Sequence, residues 1–261
     1  HPEDHDDGEK NFLGQRGRFT GEDIIRIICQ QDATARFISR HLYSFFVADE
    51  PPVPEWRHTP PANPEAIDHL SQVYFDSNYD ISAMLRALFN SNYFQSQDSR
   101  YSKVKSPVEL VAGVLRLTKE FDRPRRAIID RYFQASYMGQ FLNNPPSVEG
   151  WHQGTDWLDT VPLVERVNFA SQQIGDSTKP GIRSMIDRIA SIPDDLTSPD
   201  KFINACLEEM GVIAVQDDTM KVLIEFASQE HNQPTTASIN DRQRIAETLQ
   251  MIASTKEFQR S

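Results

Sequence analysis

Apolar residues recur at three- and four-residue intervals along almost the whole chain, a spacing that commits it to helices rather than strands. Ser106-Pro107-Val108-Glu109 is the clearest start signal. It combines a serine cap, a proline at the first helical position, where a missing N–H costs nothing, and a glutamate three residues after the cap. The helix reads on through Leu110, Val111, Val114 and Leu115 and must stop before Pro124. Thr20 with Asp23 makes a second capping box ahead of Ile24, Ile25, Ile27 and Ile28. The spacing predicts a further helix over 33–47 with Ala35, Ile38, Leu42, Phe45 and Phe46 on its apolar face, and others starting at Pro64 and Asp80. More follow at about 125–141, 162–173, 182–191, 200–210, 218–228 and 239–254. Only Val212 to Val215 reads as a short strand. The expected class is all-α, a multi-helical irregular bundle with long Pro/Trp-rich loops.

The interruptions are as informative as the helices. Residues 49–64 hold six of the sixteen prolines, with Trp56 among them, which predicts an extended arm laid over the surface. Asn143 to Trp157 gathers Pro145, Pro146, Gly150 and Gly154 with two of the three tryptophans, Trp151 and Trp157. Irregular segments of this length are usually functional or packed down by their own side chains. Gly175 to Gly181 is the expected boundary between a main helical domain, 1–174, and a smaller carboxy-terminal helical subdomain, 182–261, packed on it.

Charge narrows the function. Lys and Arg total 27 against 38 Asp and Glu, a formal net charge of −11, so the overall field disfavours nucleic acid and anionic membranes as partners. A mean hydropathy of −0.54 and the absence of long apolar runs predict no membrane span, which needs roughly 20 such residues. Cys29 and Cys206 each fall on an apolar helical stripe, where a free thiol packs as a small hydrophobe, and buried thiols are expected rather than a disulfide.

Common catalytic motifs are missing from the sequence: there is no Gly-x-Gly-x-x-Gly, no phosphate-binding Gly-x-x-x-x-Gly-Lys-Ser/Thr, no Gly-x-Ser-x-Gly and no His-Glu-x-x-His. Two distant cysteines exclude a thiolate zinc site. His1, His5 and Asp6, within an acidic amino-terminal run, are the candidate metal ligands, since imidazole and carboxylate are what a divalent metal takes. Pro2 and Gly8 argue the other way, for irregular backbone, and acidic termini are usually just solvated. Trp151, His152, Trp157, Arg166 and Asn168 are the candidate ligand-binding set, walling a concave site for a sugar, an aromatic group or a peptide. The alternative is that the tryptophans pin the loop onto helices while Arg166 bonds loop carbonyls. Lys103, Lys105, Arg123, Arg125, Arg126 and Arg131 form a basic stretch expected to balance acids on exposed helix faces. His41 and His69 lie within helices and read as packing partners.

Several ordered motifs together resemble one family. They are His5-Asp6 with Lys10 and Leu13-Gly14; Ala33-Thr34-Ala35-Arg36-Phe37-Ile38; Lys103 to Glu109; Met138-Gly139-Gln140 with Pro145 to Trp151; Arg166-Val167-Asn168-Phe169-Ala170; and the ending Ala253 to Gln259. This set, spread over nearly the whole chain, is similar to the large bacterial family called domain of unknown function 1800. The resemblance implies a mostly helical protein and longer relatives whose carboxy-terminal part this sequence matches, in keeping with a start at His1. It also implies export to the periplasm or beyond the cell, and an exported sulfatase-fold protein as partner. It supplies no catalytic residues.

Two functions follow as expectations. The first is a non-catalytic binding or assembly module for a partner protein or extracellular polymer, working through the proline arm and the Trp151–Trp157 loop. The second is a metal-assisted hydrolase using His1, His5 and Asp6, completed by His152.

Overall fold

The structure is a computed structural model that describes every residue except 1, 122, 124, 152, 193–197, 212–214 and 230–236. The described residues form two compact units, His1–Ser102 and Lys103–Ser261. Both are helical, as expected, and no described helix is long and apolar enough to cross a membrane. His1, His152 and Val212 to Ala214 of the expected strand lie outside the described residues.

The first unit opens with a small antiparallel hairpin, β1 (Lys10–Phe12) and β2 (Gln15–Gly17), paired Lys10 to Gly17. Three-residue strands are too short to show alternation in the sequence. Leu13-Gly14 carries the signal, because both take positive φ, 46° and 79°, as a tight two-residue hairpin turn demands. Helix α1 (Gly21–Cys29) starts on the expected Thr20–Asp23 box, with Asp23 N donating to Thr20 Oγ1 at 3.3 Å and Thr20 N to Asp23 Oδ2 at 3.0 Å.

Helix α2 (Asp32–Phe46) packs on α3 (Pro64–Asp76) with Ala35 in the core and Ile38, Leu42 and Phe46 against it, as expected, and the buried stripe extends to residues the apolar period does not mark. Ala35, Ser39, Tyr43 and Val47 are buried in i, i+4 succession, while Phe45 stands exposed. Small residues decide this: Ala35 and Ala66 are fully buried, and Ser39 Oγ lies 3.3 Å from Ser71 Oγ, so the two backbones approach closely. Helix α4 (Ile81–Phe89) closes this core with Met84 and Leu88, and α5 (Asn92–Gln95) lays Tyr93 and Phe94 against it.

The proline arm is not extended throughout. Val53–Arg57 forms a 3-10 turn, and Trp56 turns back on α2 with its Nε1 donating to the Pro51 carbonyl at 2.7 Å. Arg40 holds the arm from beneath. Its guanidinium bonds Glu50 Oε2 through Nε and Nη2 (2.9 and 2.6 Å), reaches the Thr59 and Pro60 carbonyls, and lies 4.6 Å from the centre of the Trp56 ring. Arg40 and Glu50 are both buried, and Glu50 Oε1 accepts the Ala62 N–H at 2.9 Å.

The second unit is built from α6 (Pro107–Thr118), α7 (Ile128–Tyr137), α8 (Thr160–Gly175), α9 (Pro180–Ala190), α10 (Pro199–Met210), α11 (Asp217–Gln229) and α12 (Ala237–Ala253). Helices α6, α9 and α12 all pack on one another or on α8, burying Leu110, Val114, Ile174, Ile182, Ile189, Ile245 and Leu249. The segment 175–181 links α8 to α9 inside this unit. Gly181 sits so tightly against α6 that a Cβ there would fall 1.9 Å from the Leu117 carbonyl oxygen. Lys179 Nζ donates to Glu120 Oε2 at 2.9 Å and Arg131 Nη2 to Glu120 Oε1 at 2.8 Å, tying α9 and α7 to the end of α6.

Candidate functional site

The sequence motifs of the second unit meet around one buried side chain, Arg166 on α8, which has no exposed surface. Its Nε donates to Gln259 Oε1 at 3.1 Å, and its Nη2 donates to the Lys105 carbonyl at 2.7 Å and the Gln259 carbonyl at 3.3 Å. The carboxy-terminal segment returns beside the start of α6 through an antiparallel bridge, Val104 with Arg260. Lys103 and Ser261 exchange backbone bonds, and Lys105 N donates to the Gln259 carbonyl at 3.0 Å. Lys105 Nζ reaches the Phe258 carbonyl at 2.9 Å and lies 5.0 Å from the centre of the Phe258 ring. The Ser106–Glu109 capping box forms as expected, and Gln140 Oε1 accepts the Val108 N–H at 2.9 Å.

Two cations therefore share a largely buried setting. Burial draws the Arg166 guanidinium down to about 10, with the Glu109 carboxylate pulling the other way. Burial also lowers Lys105, the charge of Arg166 adding to the effect. Arg166 bonds amide and carbonyl oxygens through Nε and Nη2 while its buried Nη1 has no partner among the described residues, and Lys105 Nζ bonds a carbonyl, so this cluster is a brace that fastens the chain end to the helical frame. Lys105 thus departs from the expected exposed basic stretch, because its amine is needed inside the brace.

The described members of the candidate ligand-binding set sit in different surroundings. Trp157 is buried, its ring 3.6 Å from where a Cβ on Gly139 would lie. Trp151 is half-buried, and its Nε1 donates to the Phe141 carbonyl at 3.2 Å. Both tryptophans pin the loop to the end of α7. Asn168 is exposed, two residues and so about 200° around α8 from buried Arg166. His152 is outside the described residues.

In the first unit, Asp6 Oδ1 accepts the Gly8 N–H at 2.8 Å, and Lys10 Nζ donates to the Asp6 and Gly8 carbonyls. His5 Nε2 stands 3.8 Å from the exposed Asp7 carboxylate. The 3-10 turn Pro2–Asp4 ends before His5, and His1 lies outside the described residues. Among the described residues no group of three His, Cys, Asp or Glu side chains is placed to hold a metal ion. Cys29 and Cys206 are free, and burial pushes the Cys206 thiol up to about 12.

Sequence reasoning missed a surface that now stands out. On α7, Ile129, Phe133 and Tyr137 repeat every four residues and point outward, with Ile128 and Phe141 also exposed at either end. At the start of α8, Val161 is 69% and Val164 54% exposed. Gln134 donates to Glu165 at 3.5 Å across the two helices. Tyr137 follows Gln134 by three positions and Val161 precedes Glu165 by four, so that bond sets the two apolar faces side by side. A groove of about 200 Å³ between α6 and α7, lined by Val108, Val111, Leu115, Ile128, Tyr132 and Leu142, continues the surface. The available signal was the absence of polar residues at 128, 129, 133 and 137 in a short amphipathic helix, which from sequence alone reads as core.

A larger polar cleft of about 570 Å³ lies between α9 and α12. Its charged walls are already matched: Arg242 pairs with Asp187, Gln243 donates to Glu247 at 2.8 Å, and Arg183 donates to the Thr178 carbonyl at 3.3 Å.

No curated protein and no solved structure matches the chain. Lys103 to Glu109, Gln140, Arg166 and Glu257 to Gln259, which build or flank the brace, come from the motifs that carry the family resemblance. The match to the family described as protein of unknown function (DUF1800) runs over residues 1–260, and the chain belongs to that family.

Proposed function

We propose that this protein is a binding or assembly module rather than an enzyme, and that it engages a partner protein through the outer face of α7 and the start of α8. One observation carries the reading. Large apolar side chains at 128, 129, 133, 137, 141, 161 and 164 are exposed on a frame to which the Trp loop and the chain end are hydrogen-bonded. Soluble proteins rarely leave such a contiguous patch uncovered unless something binds there. The tryptophan loop, expected to hold the ligand itself, supports this surface by pinning Phe141 and the end of α7. The family resemblance points to a periplasmic or extracellular setting and to an exported sulfatase-fold protein as partner.

The test is photo-crosslinking in the native host with benzoylphenylalanine at Tyr137 or Val161, and at exposed Glu208 on α10 as control. A discrete adduct at 137 and 161, missing at 208, is expected. No adduct, or the same adduct at all three positions, overturns the reading.

A further inference from the structure

The groove and its flanking charges say more about the partner, on the reading just given. Its volume of about 200 Å³ falls below the roughly 300–1,000 Å³ of small-molecule pockets, and its walls are almost wholly apolar. That is a receptacle for an inserted aliphatic or aromatic side chain. Ile128 lines the groove and heads α7, and Arg125 and Arg126 stand three and two residues ahead of it, both exposed. Neither makes an ion pair with a described residue, whereas Arg131, within α7, is paired with Glu120. In a chain with 38 acids against 27 bases, a stretch beside an apolar groove in which exposed Arg123, Arg125 and Arg126 outnumber the exposed acid Asp130 among the described residues runs against the overall charge. These arginines are the complement of a negative ligand, and arginine and tyrosine are the residues most often dominant at protein interfaces.

We infer that the α6–α7 groove receives an acidic segment of a partner protein, which seats a large apolar side chain between the helices and lays its carboxylates against Arg125 and Arg126. A membrane fits less well, since a concave groove takes a side chain whereas an interfacial helix buries a convex apolar face. The net charge of −11 also opposes an anionic bilayer at longer range.

The experiment uses the full chain and fluorescence anisotropy with three synthetic helical peptides. One has leucine on one face and glutamate on the other, the second has lysine in place of glutamate, and the third has alanine in place of leucine. The leucine–glutamate peptide is expected to bind about tenfold or more tighter than either other, and to weaken as salt rises. Arg125→Glu with Arg126→Glu should reverse the preference between glutamate and lysine peptides, and Ile128→Ser, at the groove itself, should weaken binding, with far-UV circular dichroism unchanged in each. Equal binding of the acidic and basic peptides, no binding at millimolar peptide, or an unaltered preference in the double arginine variant overturns the inference. So does binding to phosphatidylglycerol vesicles that the double variant abolishes, or a concentration-dependent dimer that Ile128→Ser abolishes. Crosslinks at 137 and 161 with peptides that show no charge preference would leave the binding role standing and remove the acidic partner alone.

Discussion

Replacing Gly181 by alanine sets two physical effects against each other. Gly181 is the second residue of α9, and alanine is ordinarily favoured over glycine in a helix by about 1 kcal/mol. Here the added methyl would lie 1.9 Å from the Leu117 carbonyl oxygen, 2.7 Å from the Thr118 carbonyl carbon and 2.9 Å from the Leu117 carbonyl carbon. All three are backbone atoms at the end of α6, so no side chain can rotate away. Relief requires α9 to retreat by roughly 1 Å or more, opening the contact that buries Ile182 and loosening Lys179 from Glu120. Overpacking of this kind costs about 1–3 kcal/mol, and backbone overlap places it at the upper end or beyond. The net expectation is a loss of about 2 kcal/mol, which for a unit of this size lowers the melting temperature by about 4–8 °C. Gly113→Ala is the control, because nothing lies within 4 Å of a Cβ on that α6 residue; it should raise the melting temperature by a few degrees. Differential scanning calorimetry of both variants decides the matter. An unchanged or raised melting temperature for Gly181→Ala would refute the close contact between α9 and α6.

Glu50→Ala leaves the Arg40 guanidinium buried without its counter-charge and should cost about 3–5 kcal/mol in urea denaturation, while adding Arg40→Met should recover most of the loss. Equal stability of the single and double variants would contradict the clamp. Cys206, its thiol raised to about 12 by burial, should resist iodoacetamide in the folded protein while Cys29 reacts, and both should label in denaturant. Equal labelling rates in the native state would show that α10 is not packed as described. Burial alone would raise Glu120, but hydrogen bonds and charges from Arg131 and Lys179 outweigh it and hold its carboxyl below 4.5. A depressed folded value means that this stabilisation is complete above the unfolded value and fades as pH falls through the folded one. The melting-temperature gap between wild type and Glu120→Gln should therefore be constant above about pH 5 and close below 4.5. A gap that widened on acidification would reverse the sign.

Helix positions were legible because caps and apolar periods are local properties. The Thr20–Asp23 and Ser106–Glu109 boxes need only three residues of context, and both are present in the structure. Which face of a helix is buried was less legible. On α2 the period correctly marks Ala35, Ile38, Leu42 and Phe46, but it also marks exposed Phe45 and passes over buried Ser39, because close approach to α3 selects small side chains that a hydrophobicity count undervalues. Arg40 was hidden for the same reason: nothing within five residues reveals that Glu50 and two carbonyls of the proline arm will surround it.

The same blindness governed the site, and its cause is long-range pairing. Arg166 looks like a ligand-binding cation while its surroundings are unknown, since its partners Lys105 and Gln259 are 61 and 93 residues away in sequence. Once they are in place, a charge that would cost several kcal/mol if buried alone becomes the fastening of a chain end. The reverse holds on α7, where Ile129, Phe133 and Tyr137 read as core by composition and turn outward only because α7 meets α6 and α8 along its other faces. Buried arginines fasten the proline arm, through Arg40, and the chain end, through Arg166, so polar residues that suggest chemistry in the sequence serve the architecture here. What the helices leave uncovered is the apolar surface of α7 and the start of α8, with Arg123, Arg125, Arg126 and Asp130 as exposed charges beside it.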